Sequence, residues 1–336
     1  MTRPYVSLAA TNRAAELRTR LLARLPELAA IPGVLGITLN GGISRGFADA
    51  LSEIDVTLFL GPGVLHAWGR DGSPVPLGIS QYDGWTWDVA AFDLAAREEQ
   101  PWERDARWDG SYAEILHDPT GRLQALFAAL ATPPAIDAVE GELFQCWWYY
   151  RLAGDIWIGR GDWLQGHHIL NQATAALVRA LFAANGELIP HEKWLFHMSR
   201  TLAWRPEKWE ERLTAALRTG NLDEESLRTR QAAIDALWQE IDAYVRRTQF
   251  SNLPVTMMQR SFYNLLAALV ERGSFSWAEW ETLGGTGLMN MDPFHPLLII
   301  DTAGVRLDVA RLATLTPTEM YSWHYAVVEA VRRANP

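Results

Sequence analysis

Two apolar runs joined by a short polar turn constrain this chain more than any other feature. The first is Val34–Leu39, and Gly41-Gly42 follows it almost at once. Ser44-Arg45-Gly46 and a small polar stretch through Ser52 come next, and a second apolar run over 53–60 carries Glu53 and Asp55 near its start. Alternate residues of a strand share a face, so Glu53 and Asp55 project together while Ile54 and Val56 pack behind them. Adjacent carboxylates repel unless a cation lies between them. Their hard oxygens suit Mg²⁺, which one or two carboxylates plus substrate phosphates commonly hold. Gly41 and Gly42 let the backbone approach a ligand closely, and N–H groups at such a turn suit an anion. Ser44 reads as the N-cap of a short helix beginning there, and Arg45 as a planar cation for phosphate oxygens.

The run Gly41-Gly42-x-Ser44-Arg45-Gly46-x-x-Asp49-x-x-Ser52-Glu53-Ile54-Asp55 resembles the signature of the nucleotidyltransferase superfamily. It is most similar to the small aminoglycoside-modifying type, with Gly-Ser-x-x-Arg-Gly, a gap, and Ser-Asp-Ile-Asp. Gly42 stands where Ser is more usual, and Glu53 where Asp is. The resemblance implies Mg²⁺-dependent transfer of a nucleoside monophosphate from an NTP, with ATP the expected donor, to an acceptor hydroxyl. It implies phosphate contacts from Gly41, Gly42, Ser44 and Arg45, and metal binding by Glu53, Asp55 and a third carboxylate. An aminoglycoside-like small molecule is one acceptor in view. A catalytically silent nucleotide-binding or regulatory module, motivated by Gly42 and Glu53, is one alternative. A protein-modifying enzyme of the antitoxin type is another.

Residues 84–92 read as a further strand, with Trp85, Trp87 and Val89 alternating. Asp88 interrupts the opposite face, the form the superfamily's third carboxylate takes, and would serve as general base as well as metal ligand. Asp93 is its rival. Asp118-Pro119-x-Gly121 resembles the turn that ends a short strand in these enzymes. Asn185-Gly186-x-x-x-Pro190-x-x-Lys193 resembles a motif in which Pro opens a helix whose Lys meets the triphosphate, so Lys193 joins the nucleotide-binding set. His168 and Asn171, three apart on a helix, are candidates for an acceptor pocket, and Glu140, Glu142, Asp155 and Asp162 for acidic contacts to a cationic acceptor.

Organisation follows from punctuation. An amphipathic helix over 11–30 stops at Pro32-Gly33, and Gly61-Pro62-Gly63 closes the second strand. Beyond Pro133-Pro134 strand signals fade, and helices are expected at 137–158, 162–185, 190–203, 206–219, 223–248, 255–272, 276–283 and 317–333. Residues 297–309 are ambiguous and could hold a hairpin. The expected fold is therefore α+β, with a mixed sheet and flanking helices over 1–134 and an all-α helical bundle over 135–336.

Composition narrows the partners. A net charge of −10 fits a polynucleotide poorly and a neutral or cationic small acceptor better. No stretch reaches the ~18 apolar residues of a membrane span, and the opening residues carry no secretory pattern. The expected partners are thus a nucleotide and a small acceptor, with no nucleic acid and no membrane, in the cytoplasm; a homodimer is left open. The single cysteine, Cys146, excludes an internal disulfide and a cysteine metal cage. The 16 tryptophans suggest helix packing, with a few free to line a pocket.

Overall fold

The computed structural model describes residues 3–82, 84–292, 294–319 and 322–335. Its contacts divide the chain into two units. The first comprises Met1–Ala138 and Leu181–Glu211, the second Val139–Ala180 and Arg212–Pro336. Segment 181–211, which the sequence reading assigns to the helical part, thus clusters with the sheet.

The first unit opens with α1 (Ala14–Ala29), β1 (Val34–Leu39), the single turn α2 (Gly41–Ser44) and β2 (Ile54–Leu60). Then come α3 (Val64–Asp71), β3 (Gly78–Tyr82), β4 (Trp85–Asp93), α4 (Leu94–Glu99), α5 (Arg104–Gly110), β5 (Glu114–His117) and α6 (Arg122–Leu130). The sheet runs β3-β4-β2-β1-β5, with β2 and β4 parallel and the other neighbours antiparallel.

Strand parity sorts the side chains. Ile54, Val56 and Leu58 of β2, Ile37 and Leu39 of β1, and Trp87 and Val89 of β4 are buried, and with Leu17, Leu21 and Leu28 of α1 they form one core. On the other face Phe59 packs with Leu94, Leu123, Phe127 and Leu130 under α4 and α6. That second core fills only the downstream half of the strands. Upstream, where Asp55 and Asp88 stand, the face opens into a cavity.

The chain continues through α7 (Asp137–Trp147), α8 (Gly154–Arg160), α9 (Trp163–Ala184), α10 (Glu192–Ser199), α11 (Trp209–Leu217), α12 (Glu224–Gln249) and α13 (Arg260–Arg272). The expected single helix over 137–158 is broken by a π-helical stretch, Trp148–Ala153. The ambiguous 297–309 region forms a hairpin of β7 (Leu298–Asp301) and β8 (Gly304–Leu307), and the two-residue β6 (Ser274–Phe275) joins it to make a three-stranded sheet. Helix α14 (Trp277–Thr282) starts on a capping box, Ser276 with Glu279. α15 (Val309–Thr314) and α16 (Ser322–Ala334) complete the order; residues 320–321 of the expected last helix lie outside the described residues. The protein is α+β, a mixed sheet with flanking helices followed by a predominantly helical part. No helix among the described residues is long and apolar enough to cross a membrane.

Candidate active site

The site begins with strand register. Parallel pairing sets Asp55 of β2 opposite Asp88 of β4, Thr57 opposite Ala90 and Phe59 opposite Phe92, all on the face that opens into the cavity. Neighbouring strands lie about 4.8 Å apart, so the two carboxylates are side by side. Glu53 stands one residue before β2 begins, and its charge still reaches Asp55. Burial pushes the Asp55 carboxyl up to about 7, the Glu53 and Asp88 charges push the same way, and Arg45 offsets part of the shift. A carboxyl so raised by burial and like charge fits a site completed by a hard divalent cation. Among the described residues no three His, Cys, Asp or Glu side chains converge into a cage. Two carboxylates suffice where substrate phosphates supply the remaining oxygens.

Asp93 lies elsewhere. It pairs with Leu60 on the opposite parity, and its Oδ1 accepts a 3.1 Å bond from Ala96 N, capping α4. Of the two rival carboxylates, Asp88 is the one brought beside Asp55.

Behind the pair lies the glycine turn. Gly41 has φ +65°, and a Cβ there would stand 1.7 Å from Asp55 Oδ2. At Gly42 a Cβ would meet the Phe47 carbonyl oxygen at 2.7 Å, so backbone accounts for the missing serine. Ser44 does not cap the start of a helix: α2 begins at Gly41 and ends at Ser44, whose Oγ donates to Gly41 O at 3.0 Å. Arg45 is only 7% exposed. It pairs with Asp109 of α5 and lies over the rings of Trp108 (4.8 Å) and Trp194 (5.3 Å). Of the four residues read as a phosphate cradle, Gly41 lines the cavity, while Gly42, Ser44 and Arg45 build the turn around it.

The cavity measures ≈ 260 Å³. Its polar end holds the acid pair and a short network in which Asn40 Nδ2 donates to Thr57 Oγ1 and Thr38 Oγ1 donates to Asn40 Oδ1. Its other end is aromatic, with Phe59, Phe92, Trp102 and Phe127. Two charged residues that the sequence reading passed over also line it, Arg97 and Asp109. For Asp109 the available signal was the segment 101–110, where Trp102, Trp108 and Asp109 recur amid charge.

Lys193 is exposed at the start of α10 and makes no ion pair among the described residues. Its charge helps hold the nearby His191 below the usual histidine range, after burial. It does not line the cavity. In the second unit Asn171 accepts from the buried Arg230, which also bonds His167 and Ala216 O, and burial pushes that guanidinium down to about 10. The acids considered for a cationic acceptor have local partners: Glu140 bonds Arg260, Glu142 bonds Arg179, Asp155 accepts from Gln231, and Asp162 accepts from Gln165 N.

No protein-family model matches the chain, and the search of curated proteins finds no match. Among solved structures the chain is similar to a nucleotidyltransferase-like protein from Exiguobacterium sibiricum 255-15. The identity is 14% and the TM-score 0.38, over 70% of this chain and 79% of that one.

Proposed function

We propose that the protein transfers a nucleoside monophosphate from an NTP, ATP being the first donor to test, to a hydroxyl of a small acceptor. The observation that carries this reading is the register pairing of Asp55 with Asp88, with Gly41 directly beneath the Asp55 carboxylate. Asp55 and Asp88, with Glu53 close by, would hold Mg²⁺, and the ion when bound supplies positive charge to the phosphate oxygens. Gly41 keeps the backbone low enough for the donor to approach. Asp88 accepts the proton of the acceptor hydroxyl. The hydroxyl oxygen bonds to the α-phosphorus, the bond to the bridging oxygen breaks, and pyrophosphate leaves with that electron pair. Lys193, exposed and without an ion pair among the described residues, is a cation that could meet a triphosphate tail reaching out of the cavity. The acidic balance of the chain supports a small acceptor over a polynucleotide.

Each of ATP, GTP, CTP and UTP is added with and without Mg²⁺ to wild type and Asp55→Asn, with thermal unfolding as readout. A ligand at about 100 times its Kd stabilises the native state by about 2.7 kcal/mol. The expected result is a Mg²⁺-dependent rise for one nucleotide, absent in the variant. Labelled nucleotide then locates the acceptor: label in a small molecule supports the proposal, and label only in protein replaces it with a protein-modifying activity. Wild-type turnover by Asp55→Asn overturns the site.

A further inference from the structure

Among the described residues the cavity is lined by three carboxylates and one cation, Arg97 of α4. The guanidinium carbon lies 4.2 Å from the Phe92 ring centre and 4.5 Å from that of Trp102. Contact with two ring faces favours a seated guanidinium over a freely solvated one. Its Nε is shielded from solvent and has no hydrogen-bond partner among the described residues. Burial pushes its pKa down, and no neighbouring acid offsets that effect. Arg45 makes the contrast: it too lies over two rings, but it has Asp109 for a counter-ion. An arginine seated against two rings, with no acceptor among the described residues and lining a cavity, is suited to a partner that comes from outside the chain.

We propose that Arg97 binds an oxyanion, carboxylate or phosphate, carried by the ligand of this cavity. The guanidinium fork matches two oxygens on one atom, and the surrounding rings suit a flat or apolar body attached to that group. Asp88 and Phe92 share the strand face four residues apart, about 13 Å at the rise of a strand. The ligand therefore places its anionic group toward the aromatic end, away from the acid pair. If the nucleotidyl-transfer reading holds, on which this assignment of a substrate rests, the anion belongs either to the donor's terminal phosphate or to an acidic acceptor. A polycationic acceptor would meet Arg97 unfavourably.

The test uses the full chain in EDTA, so that the acid pair holds no divalent ion, titrated calorimetrically with benzoate and with inorganic phosphate. Wild type is expected to bind at least one probe saturably. Asp55→Asn should bind it as well or better, Arg97→Lys more weakly, and Arg97→Gln about ten-fold more weakly or not at all. Should Arg97→Gln fail to fold, Arg97→Lys, which keeps the charge and loses the fork, decides the matter. Equal binding by wild type and both Arg97 variants, or no binding of either probe by wild type, overturns the proposal. A second titration with ATP and Mg²⁺ identifies the source. Parallel losses of ATP and probe binding in Arg97→Gln assign the anion to the donor, and ATP binding unchanged beside a lost probe assigns it to the acceptor. Probe binding through Arg97 with no Mg²⁺-dependent nucleotide binding would remove the transfer reading and leave the oxyanion site standing.

Discussion

Gly41 lies directly under the Asp55 carboxylate, so close that a β-carbon on it would stand 1.7 Å from Asp55 Oδ2. Its φ of +65° adds a second restriction, since left-handed backbone costs a side-chain-bearing residue about 1–2 kcal/mol. Gly41→Ala is therefore expected to destabilise the protein by about 3 kcal/mol, overpacking included. It should also displace Asp55 and abolish Mg²⁺-dependent nucleotide binding. Gly46→Ala is the control: φ is +85° there, but nothing lies within 4 Å of the added carbon, so only the backbone cost applies. Urea midpoints for the two variants separate contact from conformation.

The raised Asp55 carboxyl links stability to pH with a definite sign. Its value is about 7 in the folded protein against 3.8 as the ordinary value, so between those limits the folded state holds a proton that the unfolded state has released. That contribution is fully present below the lower limit and is lost as pH rises through about 7. The whole effect is on the order of 4 kcal/mol. In EDTA, wild type should lose stability relative to Asp55→Asn between about pH 4 and about pH 8. Excess Mg²⁺ should flatten the difference, because a bound cation favours the ionised carboxylates. Urea unfolding of both proteins across this range, with and without Mg²⁺, measures it.

Arg45 gives a prediction in which two roles diverge. A phosphate-binding arginine would alter nucleotide affinity and leave stability alone. Instead Arg45 is buried between Trp108 and Trp194 and paired with Asp109. Arg45→Met is expected to cost on the order of 3 kcal/mol, because it strips contacts from two rings and leaves Asp109 without its cation. The Asp109 side chain is 41% exposed, so the charge left behind is partly solvated and Asp109→Asn alone should cost less. A double-mutant cycle by urea denaturation should give a coupling of about 1 kcal/mol between the two positions.

Both face-sharing acids were readable because strand parity is a property of a few consecutive residues. The apolar run around Glu53, Ile54 and Asp55, and the pattern Trp85, Trp87, Val89 with Asp88 opposed, carry their geometry with them. Arg45 was not readable in the same way. A planar cation suits phosphate, carboxylate and aromatic rings alike, and the choice was made by Trp108, Asp109 and Trp194, which only tertiary folding brings near. Arg97 was hidden for a related reason: α4 is six residues long, and its charge-rich end looks like solvated surface until the fold brings Phe92 and Trp102 against the guanidinium. Ser44 misled because a serine closing a turn and one opening a helix look alike, and only the bond from Ser44 Oγ to Gly41 O distinguishes them.

Asp88 and Asp93 occupy one strand and should fail in opposite ways. Asp93 caps α4 through Ala96 N, and Asp93→Ala should cost about 1 kcal/mol of stability while leaving transfer intact. Asp88→Asn removes a like charge from beside Asp55, so the folded state should not be weakened in EDTA. Transfer should nevertheless fall to background, since the proton acceptor is gone. The same substitution removes one of the charges that raise the Asp55 carboxyl. The upper end of the pH-dependent stability loss, which that carboxyl sets, should therefore move below about 7, a shift that Asp93→Ala cannot produce. Turnover and pH-dependent unfolding on the two variants test this pair of expectations together. Surviving turnover in Asp88→Asn with the upper end of the stability loss unshifted would mean that the two facing carboxylates do not act as one site.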